Sequence, residues 1–180
     1  MPKRTAIIAA LPLLALLAAP TVAEATSFTD QWLNISYQNP GGNVIAQTNA
    51  YVTPPSTSVP FLLGFLDITL GADTIRITSN FPSDFNSSGA FDGLVFKDAF
   101  GQISEIAGVS IVSSNMVGLT ATDLAYGAEF VSIDFDSLGF LEDTFVELSV
   151  EFIPTPEPAT AAMVGLGLVI LGSVGRRRRA

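Results

Sequence analysis

The sequence predicts an all-β protein: an antiparallel β-sandwich of jelly-roll or immunoglobulin-like type, with an N-terminal signal peptide and a single C-terminal transmembrane helix. Three observations carry this. Between its two ends the 180-residue chain alternates apolar and polar side chains with a period of two, the signature of strands with one buried and one wet face. Clusters of Gly, Pro, Asn and Asp separate these stretches at short intervals, as turns between sandwich strands require. Helical periodicity over a dozen residues is absent from the middle of the chain.

At the start, Met1-Pro2-Lys3-Arg4 is a basic n-region, Ala6 to Ala19 an almost wholly apolar h-region, and Ala23-Glu24-Ala25 the small-x-small pattern that signal peptidase accepts. Cleavage follows Ala25 in this reading. A retained anchor is the alternative, but the stretch falls short of the roughly 20 apolar residues of a comfortable span, and Pro12 and Pro20 interrupt it. Residues 1–25 are therefore set apart from the fold.

Residues 26–153 form the expected sandwich domain. Val146-Glu147-Leu148-Ser149-Val150-Glu151-Phe152 alternates most cleanly, and Val131-Ser132-Ile133-Asp134-Phe135-Asp136 repeats the pattern. Leu66 to Leu70 and Thr74 to Thr78 flank Gly71-Ala72-Asp73 and read as a hairpin. Leu33 to Tyr37 is a strand running into Asn39-Pro40-Gly41-Gly42, residues suited to turn torsions. With Leu94 to Lys97 and Val109 to Ser113, the expectation is about seven or eight short strands. Thr53-Pro54-Pro55-Ser56-Thr57-Ser58-Val59-Pro60 reads as a loop or stiff connector.

Charge narrows the partners. From Thr26 to Pro154 there are 15 acids (the chain's 17 less Glu24 and Glu157) and two bases, Arg76 and Lys97, a net of 2 − 15 = −13. Such a surface repels polyanions, whose protein affinity depends on Lys and Arg replacing counterions on phosphates. Nucleic acid is thereby excluded as a partner. Cysteine is absent, so the core alone must hold the domain, which its length permits.

At the other end, Pro154-Thr155-Pro156-Glu157-Pro158 suits neither helix nor sheet, because proline lacks an N–H and restricts its neighbours. The stretch from Ala159 to Gly175 is uncharged and apolar and runs into Arg176-Arg177-Arg178-Arg179. A short apolar helix (159–175) closed by an arginine cluster (176–179) reads as a stop-transfer segment in the inner membrane, with the guanidinium groups held on the cytoplasmic side. It lies at the lower length limit for a span. Arginine side chains reaching the headgroups make up part of the deficit. A plain C-terminal anchor is one alternative reading. A hairpin buried in the domain is another, and four unpaired charges oppose it.

The order of Pro156-Glu157-Pro158, apolar helix and Arg176 to Arg179 within residues 154–180 resembles the PEP-CTERM sorting signal. The resemblance implies that an exosortase, a membrane-embedded cysteine transpeptidase-like enzyme, recognises and processes this segment. It further implies export in a Gram-negative bacterium and a final place at the cell surface or in the extracellular, exopolysaccharide-rich matrix of a biofilm, with exopolysaccharide a candidate partner.

Catalytic options are few. Histidine and cysteine are both absent, which removes Ser-His-Asp and Cys-His nucleophiles and ordinary zinc sites. A carboxylate pair of glycosidase type survives on composition alone. Asp134-Phe135-Asp136-Ser137-Leu138-Gly139 has the look of a calcium loop, but Leu138 takes a ligand position and Phe145 stands where the bidentate glutamate belongs. Asp134 and Asp136 then read as the wet face of a strand, with calcium at loop carboxylates left open. Trp32, Tyr37, Tyr51 and Tyr126 read either as a sugar-stacking platform or as core packing, and without knowledge of their faces both stand. The expectation is an exported non-enzymatic surface or matrix protein without a cofactor. A carbohydrate-binding module is the alternative, and a carboxylate-based polysaccharide hydrolase or lyase a more distant one.

Replacing Glu157 or Pro158 by alanine in the native host is expected to leave full-length protein in the inner membrane, while the wild-type chain loses its apolar tail. Immunoblots of membrane and surface fractions decide this, and normal processing of the variants contradicts recognition of the motif.

Overall fold

A computed structural model describes residues 26–84, 90–154 and Gly165. In chain order its strands are β1 (Trp32–Gln38), β2 (Val44–Tyr51), β3 (Thr57–Phe61), β4 (Leu66–Leu70), β5 (Thr74–Ser79) and β6 (Ser83–Asp84). There follow β7 (Gly93–Asp98), β8 (Ile106–Ser114), β9 (Leu124–Gly127), β10 (Phe130–Asp134), β11 (Gly139–Phe140) and β12 (Phe145–Phe152). One 3-10 turn, Ala121–Asp123, precedes β9. The all-β expectation holds, and the strand pairings are antiparallel throughout.

Two five-stranded sheets result, in the orders β2-β1-β7-β10-β9 and β3-β4-β5-β12-β8, with β6 and β11 forming a small separate pair. Alternation decides what each strand hides. Leu33 and Ile35 of β1, Leu94 and Phe96 of β7, and Val131 and Ile133 of β10 are buried from the first sheet. Ile68 and Leu70 of β4, Ile75 and Ile77 of β5, and Val146, Leu148 and Val150 of β12 are buried from the second. All belong to one apolar cluster. Phe135 and Phe140 meet edge to face at 5.0 Å, and Phe28 and Phe152 at 5.1 Å, a geometry that aligns ring edge with ring face.

The strands expected from alternation at β1, β4, β5, β7 and β12 lie within a residue or two of the observed bounds. Others escaped. The segment expected to be a connector from Thr53 to Pro60 contains most of β3, in which Pro60 stands opposite Asp67. β3 is an edge strand, where proline's missing N–H costs no ladder bond on the open side. On β7, a Cβ at Gly93 would strike the carbonyl of Ile133, so only glycine lets β7 and β10 approach there. The signal peptide at 1–25 and the transmembrane helix at 159–175, Gly165 apart, lie outside the described residues. Among the described residues no helix is long and apolar enough to cross a membrane.

Phe96, 1% exposed at the centre of the first sheet, is the natural probe of this core. Phe96→Ala should cost about 3–5 kcal/mol of unfolding free energy, whereas Val112→Ala on exposed β8 should stay within about 0.5 kcal/mol. Denaturant titration of the two variants, with equal losses in both, would count against a shared two-sheet core.

Candidate functional site

The outward face of the first sheet gathers the side chains with the most recognition chemistry. On β1, residues 32, 34, 36 and 38 point away from the core, and register sets Trp32 opposite Tyr51, Asn34 opposite Asn49 and Ser36 opposite Gln47 on β2. On the other side of β1, Asn34 faces Lys97 of β7, which faces Phe130 of β10. The Trp32 and Tyr51 rings lie 5.3 Å apart, tilted by 52°, and stay 41% and 38% exposed. Asn34 Nδ2 donates to Asn49 Oδ1 at 2.8 Å. The Lys97 ammonium stands 3.9 Å from a Glu129 carboxylate oxygen, an exposed pair worth little to stability.

Between these groups lies a cleft of about 470 Å³ lined by Asn34, Asn49, Lys97, Asp98, Phe100 and Glu129, among others. A second, of about 340 Å³, is lined by Gln38, Val95, Lys97, Phe130 and Ser132 with Phe91. Lys97 borders both. Asp98 builds the wall of the first: one carboxylate oxygen accepts from the Phe100 and Gly101 N–H groups at 3.0 Å, the other from Ile103 N–H at 2.8 Å. Gly101 has φ +67°, a left-handed torsion that glycine adopts without strain, and the loop then carries Phe100 out beside the cleft.

The four candidate aromatics divide. Trp32 and Tyr51 share the outer face. Tyr126 sits opposite Val131, whose side chain is buried, so it belongs to the other face at an edge. Tyr37 is half-buried, packs against the core, and donates its hydroxyl to the Asp92 carboxylate at 2.6 Å. The acids divide as well. Asp134 accepts the backbone N–H groups of Asp92 and Asp136, at 2.9 and 3.0 Å, so its carboxylate ties a turn together where a wet strand face was expected. Among the described residues no group of three or more acidic side chains is placed to hold a metal ion. The outer face of the second sheet is different in character: Arg76 bonds Glu147 at 2.8 Å and lies over the Phe145 ring at 4.1 Å.

The remaining candidates, Ala23 and Ala25 at the cleavage site and Pro156, Glu157, Pro158, Arg176, Arg177, Arg178 and Arg179 of the sorting segment, lie outside the described residues. Family comparison reaches the second group. The PEP-CTERM protein-sorting motif matches residues 154–179. The chain carries a PEP-CTERM sorting motif. That motif marks a secreted exosortase target, anchored transiently by its C-terminus before cleavage. No curated protein and no solved structure matches the chain.

Burial first, and then the Asp92 carboxylate, raise the Tyr37 hydroxyl far above the ordinary range of a phenol. The folded state therefore holds this proton more tightly than the unfolded chain, where tyrosine titrates near about pH 10. The resulting stability is complete below that pH and drains away as pH rises above it. Denaturation midpoints should fall on alkaline titration, and Tyr37→Phe should flatten that fall while lowering the midpoint at neutral pH, because buried Asp92 loses a donor. An identical alkaline slope in wild type and Tyr37→Phe would show that the pair is not the source.

Proposed function

We propose that the chain is an exported, non-enzymatic cell-surface or extracellular-matrix protein: a small acidic domain delivered on a signal peptide, parked in the inner membrane, and released or re-anchored by exosortase cleavage in its proline tether. The observation that carries this reading is the sorting-motif match from residue 154 to residue 179, which starts two residues after β12 ends at Phe152. Ile153 still donates its N–H to Glu105, and the chain then enters the proline-rich tether. Fold and sorting segment are thus adjacent in sequence without overlap.

The two sheets with their common core are read as a β-sandwich of jelly-roll or immunoglobulin-like type, spanning residues 26–153. Signal peptidase removes residues 1–25 after Ala25. Residues 159–175 cross the inner membrane until processing, with Arg176 to Arg179 in the cytoplasm. A binding or structural role is favoured over catalysis. Histidine and cysteine are missing. Of the two carboxylates lining the first cleft, Asp98 is committed to three backbone N–H groups and Glu129 stands beside the Lys97 ammonium. Asp134 is committed to two further backbone N–H groups.

Intact mass with terminal sequencing, on protein from washed cell surface and from medium of the native host, tests the reading. The expected species begins at Thr26 and ends between Pro154 and Pro158. An intact Arg176 to Arg179 tail found solely in membrane fractions would make this a permanent membrane anchor, and the surface reading would fall.

A further inference from the structure

We propose that the outward face of the β2-β1-β7-β10-β9 sheet binds an uncharged polysaccharide chain, gripped by the Trp32–Tyr51 ring pair and the Asn34–Asn49 amide pair. This rests on the reading of the domain as displayed outside the cell.

Register arranges the face in rows across the strands. Tyr51 and Trp32 form one row; Asn49, Asn34, Lys97 and Phe130 form the next. With strands about 4.8 Å apart, the second row runs about 14 Å over three gaps, a track for sugar rings in series. Pyranose rings present apolar C–H faces, and exposed Trp and Tyr rings offer such faces a large contact area at little entropic cost. Two rings held in contact on neighbouring strands, each more than a third exposed, make a stacking surface that needs no rearrangement.

The amides supply direction. Since Asn34 Nδ2 already donates to Asn49 Oδ1, Asn34 Oδ1 remains as an acceptor and Asn49 Nδ2 as a donor, side by side and without a protein partner among the described residues. An acceptor next to a donor is the complement of a vicinal diol, one hydroxyl giving a hydrogen bond and its neighbour receiving one. Lys97 and Glu129, both exposed on the same cleft, add a second such donor–acceptor pair.

Electrostatics selects the charge of the ligand. With 15 acids against two bases between Thr26 and Pro154, the domain repels polyanionic chains, and its one cation on this face, Lys97, is already shared with Glu129. An uncharged glycan meets no such barrier. The outer face of the second sheet has neither feature among the described residues: Glu147 and Arg76 pair there, and the guanidinium covers the ring of Phe145.

Trp32 is the chain's single tryptophan, so its emission reports on this face alone. The full chain, in micelles of a detergent without a sugar headgroup, is titrated with cello-, manno- and xylo-oligosaccharides and dextran, and with alginate oligosaccharides as the anionic counterpart. At least one uncharged series should shift Trp32 emission saturably, and alginate should not. Tyr51→Ala and Asn49→Ala should each weaken binding by about tenfold, while Tyr126→Ala, on the opposite face, should leave it unchanged. Silence toward every uncharged series, affinity that survives both Tyr51→Ala and Asn49→Ala, or a preference for alginate overturns the proposal. The two readings fail separately. Correctly trimmed surface protein that ignores these glycans removes the site alone; a glycan-binding chain that never leaves the inner membrane removes the surface reading alone.

Discussion

What is described of this domain depends on the apolar rows of two antiparallel sheets sharing one buried cluster, since among the described residues little else holds it together. It contains no cysteine, so no disulfide limits the unfolded state. Only Arg76 and Lys97 oppose 15 acids between Thr26 and Pro154, so charge works against compaction. Of the cross-strand ion pairs, Arg76–Glu147 has good geometry but is partly exposed and contributes on the order of 1 kcal/mol or less. The core must supply the rest, and its buried Ile, Leu, Val and Phe rows leave the outward rows of both sheets available for other chemistry.

The strands that were legible in the sequence are those whose buried rows are strongly apolar. β12 hides Val146, Leu148 and Val150, and β5 hides Ile75 and Ile77, so alternation with Glu, Ser, Arg and Thr stands out. β2 turns Ala46, Thr48 and Ala50 inward and buries only Ala50 fully, side chains too small or too polar to mark a period. β3 carries Pro60 and β9 is four residues long, and both sit at sheet edges, where pattern is weakest and tolerance for proline greatest. The common cause is that periodicity reports large buried side chains and is blind to the strands that border them.

The site was legible in its members and illegible in its grouping. Trp32, Tyr37, Tyr51 and Tyr126 were all visible as aromatic residues, yet face depends on parity within a strand and on register between strands. Register puts Tyr51 beside Trp32, while parity sends Tyr37 inward and Tyr126 to the opposite side. The amide pair depends on the same pairing of β1 with β2 and could not be seen without β2 itself. Asp134 shows the converse limit, since a carboxylate that caps two backbone N–H groups has the same local sequence as one that faces water. The sorting segment, in contrast, is read in linear order by an enzyme, and linear order is what a sequence displays.

This division of labour, a folded domain that carries the surface chemistry and a linear tail that carries the address, is tested most directly by moving the tail. Residues 154–180 are fused behind an unrelated exported, cysteine-free domain in the native host, and the fusion is followed by fractionation and mass measurement. The account predicts that the passenger is cut within the tether and appears at the cell surface, where the proposed function puts the native domain. A passenger that stays in the inner membrane with Arg176 to Arg179 attached would show that sorting requires the folded domain, and would contradict it.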